Sequence, residues 1–143
     1  MTAENHLMDL SPAQTQPETE AALIEAIDHV QLAMPPGQED AARAFYTRVL
    51  GLREIPKPEN LRARGGVWFQ SETGRVTVHL GVEKDFRAAK KAHPAFLTKA
   101  LHEICRRCEL HGYQVVDDEP LEGFDRRYIY DCFGNRMEIM QKL

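Results

Sequence analysis

Two hydrophobic periods alternate along this chain. In "AIDHVQLAM" (26–34), Asp28, Val30 and Leu32 fall on one face and Ile27, His29, Gln31 and Ala33 on the other, the two-residue period of a strand. "PPG" (35–37) breaks it, and "QEDAARAFYTRVLG" (38–51) follows with Ala41, Phe45, Val49 and Leu50 at helical spacing. Glu39 and Asp40 in the first turn and Arg48 in the last suit the helix dipole, and Gly51 suits a left-handed C-terminal cap. "LREI" (52–55), "GVWFQ" (66–70) and "RVTVHLGVE" (75–83) predict three more strands, with "PKPENLRARG" (56–65) as a loop. After a basic connector, "KDFRAAKKA" (84–92), the order restarts. "HPAFLT" (93–98) predicts a strand, and "KALHEICRRCELHG" (99–112) a helix with Leu101, Ile104, Cys105 and Cys108 on its apolar stripe. "YQVVD" (113–117), "RRYIY" (126–130) and "NRMEIM" (135–140) predict the last strands, with "DCFGN" (131–135) turning between the final two.

The element order is β-α-β-β-β, twice. The helix-ending Gly51 and Gly112 lie 61 residues apart, His29 and His93 in the first strands 64, and His79 and Glu138 in the last strands 59. Matching order at a near-constant offset is the signature of an internal repeat. The expectation is one α+β domain over residues 23–143, with module one at 26–83 and module two at 93–141. Residues 1–22, rich in Pro, Gln and Glu and poor in large apolar groups, predict a poorly ordered tail with room for a short helix.

The repeat gives four side chains meaning. His29 and His93 hold equivalent first-strand positions, and His79 and Glu138 equivalent last-strand positions. Their strand neighbours are mainly apolar and would face the helices, so the four polar groups fall on the opposite face. If the two sheets curve together, all four converge on one cavity. Neutral imidazole and carboxylate suit Zn, Ni, Co, Mn or Fe(II). Without His79, two His and one carboxylate remain, which leaves positions open for water or substrate. His79 is then either a fourth ligand or a group that moves a proton. Arg126, Tyr128 and Tyr130 share a face beside the Glu138 strand, and Arg64 and Trp68 flank the corresponding strand of module one. Arg64, Trp68, Arg126 and Tyr128 are therefore candidate substrate contacts, in a partly aromatic pocket with a cation for an anionic small molecule.

Composition narrows the classes. The chain has 143 residues, 43% of them hydrophobic and 28% charged, with a net charge of −4. That balance excludes a general polyanion binder, and no nucleic-acid motif appears. No apolar run approaches the roughly 20 residues of a membrane helix, and the start lacks the marks of a signal peptide. Three cysteines argue against a disulfide framework and for reduced thiols in the cytoplasm. Cys105 and Cys108 form a C-x-x-C, but both lie on the apolar stripe of a helix and read as core.

The doubled order together with "IDHVQL", "AFYTRVLGL", "HPAF" and "DCFGNRMEIM" resembles the vicinal oxygen chelate superfamily over residues 26–141. That group includes glyoxalase I, fosfomycin-resistance transferases, extradiol dioxygenases, methylmalonyl-CoA epimerase and bleomycin-binding proteins. The resemblance implies a glyoxalase-like cup built from a single double module, and a homodimer. It also implies a divalent ion held by His29, His93 and Glu138. Glyoxalase I-like members add a carboxylate where this chain has His79, and many members have Pro where it has Cys132. The implied function is a small metal-dependent lyase, isomerase or transferase acting on an oxygen-chelating substrate. An Fe(II) extradiol dioxygenase and a metal-free binding or resistance protein are the alternatives.

Overall fold

The computed structural model describes residues 21–143; the expected tail, residues 1–22, falls largely outside them. Module one runs β1 (Val30–Met34), α1 (Glu39–Arg48), β2 (Arg53–Ile55), β3 (Val67–Gln70) and β4 (Thr77–Val82), with a 3₁₀ helix, Glu59–Arg64, before β3. Module two runs β5 (Ala95–Leu97), α2 (Leu101–Leu110), β6 (Val115–Val116), β7 (Phe124–Tyr130) and β8 (Arg136–Lys142). The expected α+β class and the repeated βαβββ order are both present. Each module makes one four-stranded mixed sheet, in the orders β1-β4-β3-β2 and β5-β8-β7-β6. In each, the first strand pairs parallel with the last, and the other neighbours are antiparallel.

Two elements depart from the sequence expectation. The 56–65 segment contains the 3₁₀ helix, because Pro58 sets the entry and Gly65, at φ 70°, the exit. His29 and His93 precede their strands rather than lying inside them, since β1 begins at Val30 and β5 at Ala95.

Strand alternation puts Leu32, Met34, Val67, Phe69, Val78 and Leu80 into the core from module one, and Ile129, Met137 and Ile139 from module two. Phe45, Tyr46 and Val49 of α1 and Leu101 and Cys108 of α2 pack against them. Val30 and Ile104, expected to be buried, are only partly so. β1 is the edge of its sheet, which leaves Val30 less covered. Gly66 is required at its position: a Cβ there would meet the Leu80 carbonyl oxygen at 2.2 Å.

A buried polar cluster ties the two modules. Tyr46 Oη donates to Asp131 Oδ2 at 2.7 Å, and Asn135 Nδ2 donates to Ala33 O on the open edge of β1 at 2.8 Å. Asn135 Oδ1 accepts from Ala89 N in the connector at 3.0 Å. Asp131 Oδ1 accepts from the backbone of Phe133 and Asn135, fixing the turn before β8. Burial pushes the Asp131 carboxyl up against these bonds, and burial beside Asp131 pushes the Tyr46 phenol well above its ordinary value.

Candidate metal centre

The sheet faces turned away from the core carry the candidate residues. In module one, His79 on β4 lies between Gln31 on β1 and Trp68 on β3 in direct register. Cross-strand neighbours on one face touch, and the Trp68 and His79 rings stack at 3.7 Å with planes 1° apart. His29 covers the other side, 4.0 Å away with planes 22° apart. His79 is thereby buried although it points away from the core. Burial, reinforced by His29 and Lys57 and opposed by Asp28, holds its imidazole below the usual range and favours the neutral form. His29 Nδ1 donates to Asp28 Oδ2 at 2.9 Å, so Nε2 is the nitrogen available to an ion.

In module two, Ala95, Glu138 and Tyr128 are in register across β5, β8 and β7. His93, two residues before Ala95, brings Nε2 to 3.5 Å from Glu138 Oε2. Its Nδ1 donates to the Lys91 carbonyl oxygen at 2.8 Å, so Nε2 is the ring nitrogen turned toward Glu138. Arg126 Nη1 donates to Glu138 Oε1 at 3.2 Å and to Tyr128 Oη at 3.1 Å. The guanidinium thus holds one carboxylate oxygen and leaves Oε2 toward His93.

The donor set fits a divalent ion. Two atoms bound at about 2.1 Å to one tetrahedral ion lie roughly 3.4 Å apart, close to the 3.5 Å between His93 Nε2 and Glu138 Oε2. Both His29 and His93 carry the Nδ1 acceptor that fixes tautomer and ring orientation in metal-binding histidines. The chain brings the four candidates together as two pairs, His29 with His79 and His93 with Glu138. Among the described residues, no group of three or more His, Cys, Asp or Glu is arranged to hold an ion.

The candidate substrate contacts divide similarly. Arg126 and Tyr128 stand beside Glu138, and Trp68 lies against His79. Arg64 is exposed at the end of the 3₁₀ helix. Sequence reasoning passed over Asp28 and Arg136. Asp28 gives no periodic signal, because it works through its neighbour. Arg136 was legible by alternation: two residues before Glu138, it shares that residue's face. Cys105 and Cys108 pack at the core as expected, and burial raises both thiols, Cys108 to about 12. Among the described residues, no helix is long and apolar enough to cross a membrane.

Known proteins share this architecture. A glyoxalase family protein from Bacillus anthracis is 44% identical, with a TM-score of 0.79 over 87% of this chain and 100% of that one. FosX, the fosfomycin resistance protein from Listeria monocytogenes, seen with Mn(II) and sulfate, is 16% identical, with a TM-score of 0.67 over 85% and 93%. A glyoxalase/dioxygenase from Nostoc punctiforme is 18% identical, with a TM-score of 0.64 over 87% and 99%. The latter two share the fold. No curated protein matches the chain. The family model of the Glyoxalase/Bleomycin resistance protein/Dioxygenase superfamily matches residues 26–139, and the chain belongs to that superfamily.

Proposed function

We propose that the chain is a small metal-dependent enzyme of glyoxalase-like type, acting on a small oxygen-chelating substrate. His29, His93 and Glu138 would hold a divalent ion. The observation that carries the reading is the 3.5 Å approach of His93 Nε2 to Glu138 Oε2, with Lys91 O and Arg126 orienting the two groups. A bound ion supplies Lewis acidity toward neighbouring substrate oxygens.

The reading places the ion between two copies of the chain. Within one chain each pair lacks a third donor, and the two pairs stand on different sheets. A groove of about 530 Å³ runs beside His29, lined by Ile27, Val30, Val76, Phe96 and Leu97. Ile27 is 83% and Leu97 63% exposed there. A homodimer that covers this apolar surface and joins module one of each copy to module two of the other would bring His29 to His93 and Glu138.

His79 fits the role of a neutral proton acceptor better than that of a fourth ligand. Ring lone pairs lie in the ring planes, and planes only 22° apart do not meet within the ~2.0–2.1 Å reach of a metal–nitrogen bond. Both histidines could serve one ion only if a ring turned, and His79 is clamped by Trp68. Tyr128, Trp68 and Arg64 would contact substrate, with Arg126 orienting Glu138 beside them. The test is the metal content of the purified protein, alongside turnover of α-keto-thiol adducts, epoxides and catechols. Wild type should take up about one ion per chain, and Glu138→Gln should lose it while staying folded. A folded wild-type protein that binds neither Mn(II), Zn(II), Ni(II), Co(II) nor Fe(II) would end the reading.

A further inference from the structure

Arg107, Arg126, Arg127 and Arg136 are the partly buried arginines of the described chain. The first three reach carboxylates: Arg107 meets Glu103, Arg126 meets Glu138 and Asp118, and Arg127 meets Asp117 and Asp125. Arg136 pairs with no carboxylate among the described residues. Its Nη1 donates to Lys90 O at 3.3 Å, and its Nε, like that of Arg126, is buried without a partner. Its guanidinium carbon sits 3.6 Å from the centroid of the Tyr128 ring. A half-buried cation has lost part of its hydration, and one carbonyl and a ring face return only a fraction of it. Among the described residues the Nη2 edge has no protein partner, and it is not sealed from solvent.

The place of this cation gives it meaning. Arg136 and Glu138 alternate onto the same face of β8, about 6.8 Å apart along the strand. Tyr128 lies directly across from Glu138, and Arg126 grips both the Tyr128 hydroxyl and the Glu138 carboxylate. Arg126 is therefore committed to orienting Glu138. Arg136 is the cation on this face left for a charge from outside.

We propose that Arg136 is the specificity-determining residue of the site, binding an oxyanion group, a carboxylate or a phosphonate, carried by the substrate beside its chelating oxygens. The inference rests on the reading of Glu138 as a metal ligand, and it names the charge class of what that site accepts. Tyr128 holds the guanidinium flat, so the edge is presented without further loss of side-chain freedom.

The test titrates inorganic phosphate and acetate onto wild type, Arg136→Gln and Arg136→Lys by calorimetry, with and without Mn(II). Mn(II) affinity is measured separately by electron paramagnetic resonance. Arg136→Gln should weaken the preferred anion at least about tenfold with and without the metal, and leave Mn(II) affinity within about twofold. Arg136→Lys, which keeps the charge and covers the case that Arg136→Gln does not fold, should lose several-fold. Tighter phosphate would assign a tetrahedral anion, and tighter acetate a planar one. Unchanged anion binding in either variant would overturn the proposal. A parallel loss of Mn(II) and anion affinity would overturn it too, because it would make Arg136 a positioning residue acting on His93 through Lys90 and Tyr128. The metal-free titration keeps this outcome separate from a failure of the metal reading, which would appear as no Mn(II) binding by wild type.

Discussion

Asn135→Ala should cost more stability than any single apolar contact between the modules. The side chain is fully buried and makes three hydrogen bonds: to Ala33 O at 2.8 Å, to Asp131 Oδ2 at 3.1 Å, and from Ala89 N at 3.0 Å. At a net ~1 kcal/mol for each bond, the direct loss is about 3 kcal/mol. The Ala89 N–H and the Ala33 carbonyl are then left without their side-chain partner, and each unpaired buried group adds roughly another 1 kcal/mol where water cannot enter. The expected total is about 3–5 kcal/mol. Urea denaturation followed by circular dichroism reads it as a lower midpoint at unchanged slope. A loss under about 1 kcal/mol at unchanged slope would refute the claim that this cluster clasps β1, the connector and the last turn together.

His79→Ala should leave the Mn(II) dissociation constant within about twofold of wild type and reduce turnover at saturating metal; a large loss of metal affinity would instead make His79 a ligand. Burial raises the Cys108 and Cys132 thiols from 9.0 to about 12 and pushes the Tyr46 phenol well above its ordinary value. For groups raised in this way the folded state holds the proton more tightly, so their stabilisation is complete below pH 9.0 and is lost as pH rises toward about 12. Denaturation midpoints should therefore fall with increasing pH above that point, and less steeply in Cys132→Ala; a rise would contradict the burial assignments.

Element order was legible in the sequence because strand and helix periods differ and glycines end both helices. Strand ends were not. His29 and His93 look like strand residues by alternation, but the first ladder pairs are Val30 with Val78 and Ala95 with Glu138, so both histidines sit on the approaches. The placement of His79 and Glu138 on the non-core face followed from Val78, Leu80, Met137 and Ile139 being apolar. Which candidates meet depends on strand order within each sheet, where the first strand lies beside the last, and periodicity within a strand carries no information on that. The pairing of His29 with His79 and of His93 with Glu138 therefore emerged only in three dimensions. The Trp68 stack could have been anticipated, since residues in register on neighbouring strands touch, but register is fixed by turns and core packing rather than by local pattern. Arg126 was singled out from the face it shares on its strand, and that alternation carries no sign of its contacts with Glu138 and Tyr128, which depend on how the side chain lies across β8.

The most direct measurement is of Mn(II) bound to a co-refolded one-to-one mixture of His29→Ala and Glu138→Gln chains, with light scattering to establish the dimer. Each variant alone should fail to bind at concentrations that saturate wild type. Half of the dimers in the mixture join unlike chains, and each of those holds one site with every donor intact if the site spans two copies. About a quarter of the wild-type sites should then return. A mixture that binds no more than the separate variants, beside a wild-type protein that does bind Mn(II), would contradict a centre shared between two chains.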